Sequence, residues 1–218
     1  MRDRRPRPRV RVVADMWATI ASERGALAKD LADLSGNQWA TQSLCPDWTV
    51  HDALAHMTST AHVTPPAFLF GLASSGFSFE RFSRKGIERW RGDSPAQTLQ
   101  SFRDVQHSRK HPPGPNTTWL GELIVHAEDI RRPLGIRHVY PADAVRQVLD
   151  FYKGSNALIG TKRRIDGVTL RATDTDWTHG SGPEASGPML SLLLTGTGRK
   201  AALDDLTGEG VAVLRSRG

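Results

Sequence analysis

Apolar positions recur along most of the chain at the three- and four-residue spacing of an amphipathic helix, and only near the carboxy terminus does the period shorten to two. Val13, Met16, Trp17, Ile20, Leu27, Leu31 and Leu34 predict a first helix over residues 13–34, closed by Ser35-Gly36. A polar connector over residues 37–46 leads to Thr49 and Asp52, whose spacing is that of a capping box and opens a second helix near Thr49 that contains His56. Pro65-Pro66 interrupts that helix; residues 67–73 resume it before a loose stretch at 74–78. Helices are expected over 79–91 and 95–110, the latter with Ser94 as cap and Pro95 at its first position. The run Pro112-Pro113-Gly114-Pro115 breaks the chain. The next helix, capped by Asn116 or Thr117, carries Glu122 and His126 and stops at 133–135, and another runs over 142–159.

Beyond Gly160 the character changes. Residues 168–173 alternate apolar and polar, as a half-buried strand does. Residues 180–187 read as a turn-rich loop, 189–194 as a short apolar run, 201–206 as a small helix and 211–214 as a terminal strand. The pattern is mainly α: a helical bundle followed by a small α/β unit. The expected divisions are a basic tail over 1–12, the bundle over 13–160 and the carboxy-terminal unit over 161–218.

Composition narrows the class. The 218 residues are ample for a buried core, and no run approaches the roughly 18 apolar residues of a membrane span, so no membrane partner is expected. The net charge of +6 would suggest nucleic acid until it is located. Six arginines against Asp3 place +5 within the first eleven residues, leaving the remainder nearly neutral. With Pro6 and Pro8 between the arginines and no aromatic residue to stack on bases, the tail reads as a disordered, solvated arm, and no nucleic-acid partner is expected. The single cysteine, Cys45, rules out a disulfide within the chain and any multi-cysteine metal site, which points to the cytoplasm. Cys45 has no base near it in sequence and reads as a small packing residue rather than a nucleophile.

Residues four apart on a helix share a face, so Glu122 and His126 can grip one ion. Their neighbours Leu120, Leu123, Ile124, Val125 and Ile130 make that helix largely apolar, and a carboxylate and an imidazole there need partners against desolvation. A metal is one such partner; a mutual hydrogen bond is the other. His56, among Ala53, Leu54 and Ala55, is the best third ligand, although a histidine on such a face can equally be a hydrogen-bonded core residue. His51 falls about 140° away by helical geometry and is expected to face solvent. His107 and His111 have the same four-residue spacing, but His111 precedes Pro112 and should fray.

Asp47-Trp48-Thr49-Val50, Asp52 and Leu54-Ala55-His56, followed by Gly121-Glu122-Leu123, Val125-His126, Asp129-Ile130-Arg131 and Pro133-Leu134-Gly135, resemble the mycothiol-dependent maleylpyruvate isomerase family, whose first half is a DinB-like four-helix bundle. Asp176-Trp177, Gly187-Pro188, Leu192-Leu193-Leu194, Gly198-Arg199 and residues 205–210 resemble its small α/β domain. The resemblance implies a divalent metal, Zn²⁺ foremost, on His56, Glu122 and His126. It also implies mycothiol as a low-molecular-weight thiol cosubstrate, and a small organic substrate. Two histidines and one carboxylate leave a coordination position open, as catalytic zinc requires. A thiolate formed there would add to an activated double bond and leave again after rotation, giving isomerisation; addition without elimination would give a transferase.

By the same resemblance Arg199 would contact the acidic thiol or a substrate carboxylate; taken alone it reads as a surface arginine. Asp129 would orient a metal ligand from behind, or else pair locally with Arg131 or Arg132. The 65 residues between His56 and Glu122 contain the interrupted segment 65–78 and the proline-rich break at 112–115, both expected to border the metal, and these depart from the family pattern and leave the substrate open. A DinB-type hydrolase using metal-bound water, or a metal-binding module without turnover, stays open, as does a monomer or a homodimer.

Overall fold

The computed structural model describes residues 15–157 and 159–217; the expected basic tail at 1–12 and the first residues of the helix expected from residue 13 lie outside them. The first helix, α1, is Met16–Asp30, capped by the Asp15 carboxylate, which accepts from the Trp17 N–H at 3.1 Å. A short turn of helix, α2 (Gly36–Trp39), lies inside the segment expected to be a connector; Ser35 and Gln38 close a capping box around it. Helix α3 (Val50–Thr60) opens on the expected box: Asp52 N–H donates to Thr49 Oγ1 at 3.2 Å and Thr49 N–H to Asp52 Oδ2 at 3.0 Å. Helices α4 (Pro65–Ser74), α5 (Phe79–Trp90) and α6 (Pro95–Asp104) follow. α6 ends six residues before the expected 110, and His107 and His111 lie outside it.

Helix α7 (Asn116–Arg131) starts without a side-chain cap. Pro115 takes the capping position in an extended conformation and its carbonyl accepts from Thr118 N–H at 2.9 Å, so Asn116 is already helical and neither expected cap is used. α8 (Ala142–Tyr152) stops before the expected 159, and α9 (Thr161–Ile165) begins afresh. The Asn156 side chain accepts from the Arg163 N–H at 2.7 Å, which ties the linker to α9 in place of continued helix.

Beyond it, β1 (Thr169–Ala172) is central in a three-stranded sheet of order β2-β1-β3. β2 (Thr178–His179) is antiparallel to it, with Leu170 opposite His179, and β3 (Glu184–Gly187) is parallel, with Leu170 opposite Ala185. β3 occupies part of the expected turn-rich loop, its four residues being too short and too rich in small residues to show a period. The expected terminal strand is instead a helix, α11 (Gly210–Arg215), preceded by α10 (Met189–Gly196) and a 3₁₀ turn over Lys200–Asp205. Among the described residues Thr207 alone bridges the free side of β3 through the backbone, exchanging two 2.8 Å bonds with Ser186; the chain then continues as helix.

α1 and α3 each pack against both α6 and α7, and these four enclose a core that includes Leu27, Leu54, Phe102 and Ile124. α8 lies on α7. Gly121 makes that approach possible: a Cβ there would stand 2.2 Å from Tyr152 Oη. α10 packs against α8 and β1, which joins the sheet to the bundle. Arg132 at the end of α7 adds a polar tie, donating to Glu128 at 3.1 Å, Asp205 at 2.7 Å and Ser191 at 3.2 Å. Among the described residues no helix is long and apolar enough to cross a membrane.

Candidate metal centre

α3 and α7 pack against each other in the bundle, and from nearly two turns into each helix the sequence substitutes polar donors for apolar core residues. His56 comes from α3, Glu122 and His126 from α7, and a donor atom of each lies within 4.8 Å of a donor atom of the other two. His56 Nε2 stands 3.9 Å from Glu122 Oε1, and the two imidazoles meet edge to face with centroids 4.9 Å apart. Trp48 covers both rings, at 4.6 Å from His56 and 6.0 Å from His126. Glu122 Oε1 is buried and has no hydrogen-bond partner.

The second layer centres on Asp129, one turn beyond His126 and fully buried. Its Oδ2 accepts from His126 Nδ1 at 2.9 Å, from the Cys45 thiol at 3.0 Å and from Arg199 Nη2 at 2.6 Å; its Oδ1 accepts from Arg199 Nε at 2.9 Å. Arg199 arrives from the carboxy-terminal unit. α10 ends in a turn through Gly198, whose φ of +93° favours glycine, and the Arg199 N–H returns to the Leu194 carbonyl at 2.9 Å. The remaining terminal nitrogen donates to Thr197 O at 3.0 Å, so the guanidinium is held on three sides.

Burial and hydrogen bonding decide the charges between them. Burial drives His56 down to about 3, helped by the charge of His126, so the ring is neutral and its nitrogen lone pair is available. Burial also raises the Glu122 carboxyl, against the pull of His126, Arg24 and Thr60. For His126 burial acts in the same direction as for His56, yet its hydrogen bonds to Asp129 and Cys45 outweigh it and lift the imidazole to about 10. Burial would raise Asp129, but the bonds from Arg199 and His126 prevail and hold it below the ordinary carboxylate range. An ionised Asp129 can only accept, so it holds a proton on His126 Nδ1; the second proton of the imidazolium, on Nε2, is the one a cation would displace.

Several local expectations do not hold. Asp129 does not pair with Arg131 or Arg132: Arg131 binds Asp30 at 2.7 Å and Arg132 binds Glu128 and Asp205, while the Asp129 carboxylate is taken by His126 and Arg199. Arg199 is no surface arginine, since folding carries it 70 residues back onto Asp129. His51, expected in solvent, is buried with its Nε2 2.8 Å from Arg91 O and 2.7 Å from Thr98 Oγ1, because α6 covers that face of α3. Cys45, expected only to pack, lies 3.6 Å from His126 Nδ1 and 3.6 Å from Arg199 Nη2. No short-range pattern reveals that contact, for its partners lie 81 and 154 residues away. Leu44 N–H donates to the Asp129 carbonyl at 3.0 Å and locks this loop onto α7.

A cavity of about 320 Å³ opens onto His56 and Glu122. Both expected bordering segments reach it, through Phe68 of α4 and through residues 112–115.

Residues 20–111 match the family described as the mycothiol maleylpyruvate isomerase N-terminal domain. This part of the chain is similar to that family. The matched segment contains His56 but ends before Glu122 and His126. In fold, the chain is similar to a crystal structure of a histidine-to-alanine mutant of mycothiol-dependent maleylpyruvate isomerase, with a TM-score of 0.61 and 14% identity over 89% of this chain and 91% of that one. It is also similar to a crystal structure of mycothiol-dependent maleylpyruvate isomerase without that change, with a TM-score of 0.55 and 13% identity over the same shares. The fold is therefore theirs, a helical bundle with a small carboxy-terminal sheet. No protein of curated function matches the chain in sequence.

Proposed function

We propose that the chain is a metal-dependent, thiol-using enzyme in which His56, Glu122 and His126 hold one divalent cation, Zn²⁺ foremost, and a small organic substrate is isomerised, or conjugated, with mycothiol as the thiol. Glu122 Oε1 carries this reading. A buried carboxylate oxygen with no protein donor, 3.9 Å from a neutral imidazole, is an uncompensated acceptor that a cation satisfies. Two nitrogens and one oxygen form a donor set that suits Zn²⁺ and leaves a position open. When bound, such a cation supplies a Lewis acid at which a thiol loses its proton near neutral pH and reacts as a thiolate nucleophile.

The chain's own groups prepare that position. Asp129 takes the Nδ1 proton of His126 as a hydrogen bond and so presents Nε2. Arg199 neutralises Asp129 through two parallel bonds and keeps it ionised, which makes Arg199 a positioning residue acting through His126. Trp48 shields both imidazoles and limits water. The family match of residues 20–111 and the shared fold support the thiol-using isomerase reading.

The purified protein should contain close to one equivalent of divalent metal, and His56→Ala should lose it; full occupancy in that variant would sink the ligand set. With cobalt in place of the native ion, mycothiol should change the visible spectrum. A spectrum indifferent to the thiol would overturn the thiol chemistry and favour attack by bound water.

A further inference from the structure

Resting on that reading of the centre, the geometry points to a substrate that is an uncharged, largely apolar molecule bearing one neutral hydrogen-bond acceptor, and not a carboxylate. We infer this from the cavity that opens onto His56 and Glu122. Its walls are Phe68, Phe82, Trp119, Phe151 and Tyr152, supplemented by the prolines of residues 112–115. Among the described residues no lysine or arginine lines it. Its ionisable side chains are the two candidate ligands and Tyr152, whose phenol is held neutral by burial, with the charge of Glu122 adding to the effect.

The cations nearest the centre are already engaged. Arg24, which acts on Glu122 electrostatically, donates to Val105 O at 2.9 Å and Ser108 O at 2.8 Å. Arg199 is held by Asp129 and Thr197. Beyond the reach of the proposed cation, a carboxylate in this cavity would be desolvated among aromatic faces with no lysine or arginine as counter-charge, beside the carboxylate of Glu122, and both effects oppose it. Maleylpyruvate carries two carboxylates, so the compound in the relatives' names suits these walls poorly.

The charged residues gather instead around an adjoining cavity of about 760 Å³ bounded by Trp48, which shares Phe79 and Ser83 with the aromatic one and where Arg84 and Arg91 stand among Asp47, Asp52, Glu80 and Glu88. At about 320 Å³ the aromatic cavity is at the small end for ligand pockets, which run from about 300 to 1,000 Å³, and takes a molecule of one or two rings. Two of its lining residues hold buried polar atoms with no partner, Trp119 Nε1 and Thr161 Oγ1. Either the indole N–H or the hydroxyl can donate to a carbonyl oxygen. A carbonyl conjugated to a double bond is also what makes that bond open to thiolate addition. The rim agrees with an apolar guest, since Phe79 and Phe151 line the cavity and remain 48% and 37% exposed.

The test compares acetophenone with benzoate, which share a shape and differ in charge. Binding is measured by quenching of tryptophan fluorescence and by calorimetry, on the metal-loaded protein and on His56→Ala. Acetophenone should bind at least tenfold more tightly than benzoate in His56→Ala, where no metal can attract the carboxylate; equal or tighter binding of benzoate there overturns the inference. Phe151→Arg, at a partly exposed position that tolerates the change, should move the ratio at least tenfold toward benzoate, and an unmoved ratio equally overturns it. Metal content of the same preparations decides the ligand set separately, so loss of that reading is not confused with loss of this one.

Discussion

Asp129 Oδ2 lies 2.9 Å from His126 Nδ1, and the pair joins a fully buried carboxylate to an imidazole whose other nitrogen faces Glu122 and His56. The carboxylate accepts and the ring donates, which leaves only Nε2 for an ion. Removing such a partner of a ligating histidine typically costs about ten- to a hundredfold in metal affinity. Asp129→Asn should therefore weaken metal binding by about that factor in a chelator competition, while the fold persists. Unchanged affinity would remove Asp129 from the centre.

Arg199 stabilises the same carboxylate. Its side chain is only 16% exposed, and taking one partner from a buried ion pair costs roughly 3 kcal/mol. Arg199→Ala should lower the urea-unfolding free energy of the metal-free protein by about that amount at neutral pH. The sign with pH follows from Asp129 being held below its ordinary range. A carboxyl depressed in the folded state contributes stability present above its unfolded pKa of about 4, and this is lost as pH falls toward the folded value. The gap between wild type and variant should thus narrow as the pH is taken below about 4; a gap that widens there would contradict the ion pair.

The two histidines of α3 separate structure from chemistry. His51 holds Arg91 O and Thr98 Oγ1, whereas His56 faces the donor cluster. His51→Ala should cost about 1–3 kcal/mol by stranding those buried groups, with metal content unchanged. His56→Ala should remove the metal and also the fall in melting temperature that a chelator causes in the wild type. Metal loss in both variants would mean that α3 had simply shifted.

How much of this is legible in the sequence depends on distance along the chain. Thr49 with Asp52, Pro95 and the Glu122 to His126 spacing are local signals, and each is found where expected. α8 ends early because Asn156 bonds forward to Arg163, and residues 211–214 form helix because, among the described residues, Thr207 alone bridges the free side of β3; both outcomes depend on contacts made after collapse. Arg199 can be singled out by resemblance, but its partner, 70 residues upstream, cannot. His51 defies its expected exposure because helical phase relative to His56 does not say that α6 covers the second face.

Gly121 tests the packing that sets Glu122. A methyl there would sit 2.2 Å from Tyr152 Oη and 2.7 Å from its Cζ, so removing the hydroxyl alone gives no room. Gly121→Ala should destabilise by about 1–3 kcal/mol, the cost of an overpacked contact. The same change in a Tyr152→Phe background should cost nearly as much, because the ring carbons remain. A cost near zero in either background would show that α8 yields freely.

Cys45 supplies the last test, because its place admits two roles with opposite outcomes. Its thiol donates to Asp129 Oδ2 at 3.0 Å and sits 3.6 Å from the Nδ1 edge of His126, on the side of the ring away from Nε2. A nucleophile must reach substrate, yet Cys45 is 9% exposed and lines the charged cavity beside Trp48, not the aromatic one onto which His56 and Glu122 open. A thiol that donates to a carboxylate already accepting from Arg199 and His126 adds orientation only. Cys45→Ser keeps a donor of similar size, and its kcat/KM in the thiol-dependent reaction should stay within about tenfold of wild type, less than the roughly 10³-fold or greater loss that follows removal of a covalent nucleophile. A loss of that larger size, with metal content intact, would transfer the chemistry from the added thiol to the chain's own sulfur.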